Sequence, residues 1–147
     1  MERNKNGFNE IVKDYLRVGV RNKGMVLELI EEGISPDEVA EWMNHGVFPD
    51  EIRKFKEIGV SCAVAGKLKK IRRKCGSYIN FYDFCRRLLR FIKERNENVK
   101  DRYLMGIIRK LQKFDNVKLS KLYDLLNEHF SNRDVTIEEL IVYVELE

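Results

Sequence analysis

Apolar residues recur along most of this chain with a period between three and four, the spacing of one face of an α-helix. Phe8, Ile11, Val12, Tyr15 and Leu16 form one such stripe, and Met25, Val26, Leu29 and Ile30 another. Further on, Val64, Leu68, Ile71 and Cys75 fall on one side of a predicted helix near 62–75. Phe81, Phe84, Cys85, Leu88 and Ile92 do so near 80–96, and Leu104, Ile107, Ile108 and Leu111 near 99–114. A helix over about 118–130 follows. The last begins at Thr136, where Thr136-Ile137-Glu138-Glu139 has capping-box spacing, although Ile141-Val142-Tyr143-Val144 is β-branched enough for a short strand. The pattern predicts an all-α multi-helix bundle of about nine helices in one domain over residues 1–147.

Between the second and third of these helices the pattern is punctuated by a repeat of thirteen residues. Gly33-Ile34-Ser35-Pro36-Asp37-Glu38-Val39 returns as Gly46-Val47-Phe48-Pro49-Asp50-Glu51-Ile52, and more loosely as Gly59-Val60-Ser61-Cys62-Ala63-Val64. Each unit reads as a helix end followed at once by a helix start. Glycine takes the left-handed position after the last turn, and the Ile or Val behind it makes the apolar contact of a Schellman stop. Pro36 and Pro49 stand in a first turn, where a missing N–H does no harm. Ser35 is a good N-cap and Phe48 a poor one. Residues 1–60 are therefore expected to form short-helix repeats, packed on a longer-helix layer made by residues 61–147.

Composition adds that this bundle has no framework of crosslinks. Cys62, Cys75 and Cys85 are odd in number and lack metal-knuckle spacing, and only His45 and His129 are available to join them. No metal and no cofactor is expected. Ser61 to Leu68 ends in Gly66-Lys67 but lacks the first glycine and the final hydroxyl of a phosphate loop. Carboxylate pairs such as Asp37/Glu38, Asp50/Glu51 and Glu138/Glu139 suit first helical turns, where they face unpaired amides. No nucleophile, base and orienting group share a neighbourhood, so the chain is not read as an enzyme. No apolar run approaches a membrane span, and residues 1–6 lead into no signal-peptide core, which points to a cytoplasmic protein without a membrane partner.

Charge changes the picture most. The net +4 conceals 18 basic and 5 acidic residues within 61–121, followed by 1 basic and 7 acidic within 122–147. So many like charges destabilise a folded segment unless an anion is expected there. Helical spacing turns Lys67, Lys70, Arg73 and Lys74 outward on one helix. It does the same for Tyr82, Arg86, Arg90 and Lys93 on the next, and for Arg109 and Lys113 on a third. Three basic stripes fit a phosphate backbone, with Tyr82 available to stack on an unpaired base.

The third corner resembles a helix-turn-helix. Ile58-Gly59-Val60-Ser61 supplies the turn, Ser61 caps the second helix, and Leu68 occupies its apolar position, although Phe55 and Ala65 replace the usual small and β-branched residues. Gly19-Val20-Arg21-Asn22, Asn44 and Phe48-Pro49-Asp50-Glu51-Ile52, within residues 17–52, resemble the helical segment C-terminal to primases of plasmid and phage replication proteins. That resemblance implies a helical bundle that contacts template DNA. The reading is a nucleic-acid-binding protein, DNA before RNA. The alternative is a protein-interaction module in which Trp42 and the repeat corners dock a partner, and the basic region meets an acidic protein or the acidic C-terminal helix.

Overall fold

The computed structural model describes residues 2–147, without the side chains of residues 2–6 and Phe8, so the start of the first apolar stripe lies outside the description. Among the described residues there are ten helices and no strand. They are α1 (Glu2–Arg17), α2 (Lys23–Glu31), α3 (Pro36–Asn44), α4 (Pro49–Ile58), α5 (Cys62–Lys69), α6 (Arg72–Cys75), α7 (Phe81–Arg95), α8 (Asp101–Leu111), α9 (Asn116–Glu128) and α10 (Ile137–Leu146). The β-branched C-terminal segment is thus helical. Ile137, Leu140, Ile141 and Val144 are buried on one face, and that burial outweighs local strand preference.

The repeat holds, with a fourth copy upstream. Gly19, Gly33, Gly46 and Gly59 all have positive φ, and the buried Val20, Ile34, Val47 and Val60 follow them. The N–H of each of these four donates to the carbonyl five residues back, on Tyr15, Leu29, Trp42 and Phe55, at 2.9–3.3 Å. This is the long bond of a Schellman stop, and its acceptors are themselves core residues, so each corner is pinned by hydrogen bonding and burial together. Asn22, Ser35 and Ser61 then cap the next helix with their side chains. At Phe48 no side chain can do so, and Glu51 reaches back to accept from the Phe48 N–H at 2.9 Å. The first copy escapes a thirteen-residue search because Arg21 lengthens its corner by one residue.

Around this staircase, α4 packs on α7, α5 on α3 and α8, α9 on α6 and α7, and α10 on α9. Phe55, Phe84 and Phe91 are fully buried at the centre. Trp42 is also core, its indole N–H donating to Glu38, so it offers no docking face. Two sequence expectations need correction. Ile11, Leu16 and Ile30 are exposed, because α1 packs mainly on α2 and only Tyr15 and Val26/Leu29 reach the interior. The single helix expected over 62–75 is two. Lys70, Ile71 and Lys74 donate three residues back, to Lys67, Leu68 and Ile71, so the ladder tightens to a 3₁₀ turn between α5 and α6. The apolar phase survives the break, and Val64, Leu68, Ile71 and Cys75 all remain buried.

Candidate functional site

α5 and α8 lie side by side and run the same way. The Ser61 hydroxyl donates to Asp101 at 2.7 Å at their starts. Near their ends Lys67, Lys70 and Arg109 converge closely enough that the neighbouring Lys70 ammonium, and then Arg109, hold the Lys67 pKa below the usual lysine value. α6 continues the same surface. A groove of about 440 Å³ is lined by His45, Gly46, Gly66, Lys69, Lys70 and Arg73. On its other side Arg73 also lines a hollow with Lys74, Gly76, Lys113, Phe114, Asp115 and Asn116. Lys67, Lys70, Arg73, Lys74, Arg109 and Lys113 therefore belong to one surface. Within it Lys74 is committed in part, its ammonium donating to the Gln112 carbonyl at the end of α8. Among the described residues, Lys67, Lys70, Arg73, Arg109 and Lys113 have no carboxylate within ion-pair distance.

The other five residues expected at the site lie elsewhere. Arg90 is in a separate groove between α7 and α9, with Arg87, Leu126, Asn127 and Phe130. Arg86 stands 3.8 Å from Asp83. The Lys93 ammonium sits against Gly59, at the end of α4. Tyr82 is half-buried, its ring edge-on to Phe55 and Phe81, with Lys54 and Arg72 over its faces, so it is not free to stack on a base. Ser61 is spent twice, as the α5 N-cap and as a donor to Asp101. Beside it the Cys62 thiol faces Glu41 at 3.6 Å. The helix start that a groove-reading motif would present to DNA is thus bordered by two carboxylates.

Several basic residues that sequence spacing leaves undistinguished hold the fold. Arg95 donates to the carbonyls of His129, Phe130, Asn132 and Val135 and stacks on Phe91, fastening the α9–α10 connection to the end of α7. Lys69 and Arg72 converge on the buried Glu51 at 2.6 and 2.7 Å. Glu51 was expected only as a first-turn carboxylate; the signal that it does more is its place three residues after a non-capping Phe.

The acidic C-terminal helix does not cover the basic surface. α10 packs on α9, where Glu147 pairs with Lys121 and the Glu145 carbonyl accepts from Lys118, while Glu138 accepts from Tyr103. No helix is long and apolar enough to cross a membrane among the described residues. No family model, no curated protein and no solved structure matches this chain.

Proposed function

We propose that this protein binds nucleic acid, chiefly through phosphate contacts made by Lys67, Lys70, Arg73, Arg109 and Lys113. The observation that carries this reading is the pooling of these side chains along α5, α6 and the end of α8 with no carboxylate in ion-pair distance among the described residues, while Glu147 pairs with Lys121 on α9 and Glu138 accepts from Tyr103 on α8. Phosphate oxygens are the anions that relieve such repulsion, and release of counterions drives the association. Groove entry by α5 is not part of the proposal. That helix has eight residues, is held between α3 and α8, and begins beside Glu41 and Asp101. DNA is preferred to RNA on the resemblance of residues 17–52 to a replication-associated segment.

Fluorescence anisotropy with labelled oligonucleotides at increasing salt tests the reading. Some five phosphate contacts give a log–log slope of about −3.5 on a single strand and about −4.5 on a duplex. The variant K67E/K70E/R73E/K113E is expected to lose binding with its helical circular dichroism intact, and R86E/R90E to keep it. A flat salt response, or equal affinity of the fourfold variant and the wild type, would overturn the proposal.

The interaction-module reading retains one supporting feature, the exposed Val142, Tyr143 and Leu146 on the outer side of α10. It predicts no oligonucleotide retention at about 50 mM salt and a protein complex that survives about tenfold more.

A further inference from the structure

We infer that the groove beside Phe48 takes an unpaired base, which makes single-stranded nucleic acid the class this surface recognises. The inference rests on the phosphate-binding reading above and adds a stacking platform to it.

Phe48 stands at the α4 N-cap, the position that Ser35 and Ser61 fill in the neighbouring repeats with a hydroxyl bonded to a helix N–H. Its own side chain caps nothing, and Glu51 must supply the missing contact. Nor is the ring used for packing, since 57% of the residue is exposed. A large aromatic side chain thus occupies a place where a small polar one would serve the fold better.

The ring meets the basic groove through Lys69, which lines it. The Lys69 ammonium lies 4.2 Å from the ring centre and is held there by the Gly46 carbonyl at 2.5 Å and Glu51 at 2.6 Å. With the residue more than half open, Lys69 covers only one side of the ring. Lys69 also lines the groove, whose other cations are Lys70 and Arg73. Its volume of about 440 Å³ is in the range of small-molecule sites, enough for one nucleotide. An exposed aromatic ring next to a groove that holds cations such as Lys70 and Arg73 is the arrangement by which proteins hold single strands, because every base has a π-face and a duplex hides it. The remaining aromatic candidates are committed. Tyr82 packs on Phe55, and Tyr78 donates to Asp124 and meets the Tyr123 ring.

The test compares an oligothymidine of about twenty nucleotides with a duplex of equal length, at low salt, against wild type, F48S and F48W. Wild type is expected to prefer the single strand. F48S should lose about tenfold in single-strand affinity, change less than twofold on the duplex, and melt no lower than wild type because serine restores the cap. F48W should keep the single-strand preference. Equal losses on both polymers, no loss on either, or a lower melting temperature for F48S would overturn the stacking role and leave phosphate binding standing. Failure of the wild type to bind either polymer would overturn both.

Discussion

Glu51 is 5% exposed and receives Lys69, Arg72 and the Phe48 N–H, with the Tyr82 hydroxyl at 3.5 Å. Replacing it with alanine leaves each of these donors in a different position. Arg72 is 48% exposed and returns to water at little cost, so its share is discounted. Lys69 is 17% exposed and keeps the Gly46 carbonyl and the Phe48 ring, but no carboxylate, leaving an ammonium poorly solvated and half-paired. The Phe48 N–H loses its partner at a helix start that has no other cap. Breaking a fully buried pair costs about 3–5 kcal/mol; with one partner half in water, the lower end applies, about 3 kcal/mol including the lost cap. For 147 residues the unfolding entropy makes that a fall of about 10 °C in Tm.

Thermal and urea unfolding followed at 222 nm measure this directly. E51Q, which keeps an oxygen for the Phe48 N–H, should fall between E51A and wild type. E51A/K69A should be less than additive by about 1–2 kcal/mol, since removing the carboxylate already forfeits what Lys69 gains. K56A supplies the exposed comparison. Its partner Glu38 is 2.8 Å away, and the pair is open enough to be worth under about 1 kcal/mol. An E51A protein within about 1 kcal/mol of wild type would refute the reasoning, because it would mean that Lys69 and the α4 start find other partners without loss.

Two further predictions follow from the packing and the tyrosines. A Cβ at Gly66 would stand 2.3 Å from the His45 carbonyl oxygen, so G66A must part α3 from α5 and should destabilise by about 2–3 kcal/mol; G106A meets nothing within 4 Å on α8 and should stabilise by about 0.5–1 kcal/mol, and denaturant midpoints in the reverse order would refute the contrast. Burial, with a hydrogen bond to Glu138, pushes Tyr103 up to about 12, and burial also raises Tyr15, Tyr82 and Tyr123. A phenol that holds its proton more tightly when folded contributes its stability in full below about pH 10, and loses it as pH rises toward 12. Absorbance at 295 nm should therefore lag that of free tyrosine until alkaline unfolding, and Y103F should remove the step near pH 12; titration of most tyrosines near pH 10 in the folded protein would contradict this.

What could be read from the chain divides along a physical line. Local chemistry was legible: the corners at Gly33, Gly46 and Gly59, the caps at Ser35, Ser61 and Thr136, and the buried faces of α5, α7 and α8 are set by residues within a few positions of each other. Helical phase says which side chains leave a helix on the same side; it does not say which helices stand next to one another. That is why Lys67, Lys70 and Arg73 join Arg109 and Lys113 across α5, α6 and α8, whereas the equally regular line of Arg86, Arg90 and Lys93 on α7 does not reach them. The same gap hid Gly66. In sequence it precedes Lys67 like the end of a failed phosphate loop, yet its role is to let α5 approach the His45 backbone on α3.

Which cations stay uncompensated is itself informative, because carboxylates are not scarce in this molecule: the chain has 24 acidic residues for its 28 basic ones. Where a cation serves the fold, a partner has been brought to it: Glu51 for Lys69 and Arg72, Glu38 for Lys56, Asp83 for Arg87, Glu94 for Arg133, and five carbonyls for Arg95. Lys67, Lys70 and Arg109 instead face each other, and the neighbouring Lys70 ammonium lowers the Lys67 pKa. One Glu in place of any of them would relieve their repulsion. The proposed phosphate-binding role accounts for that state by an anion that arrives from outside. On the same proposal the Phe48 ring, set against Lys69 at the expense of a helix cap, narrows that anion to one that carries bases as well as phosphates.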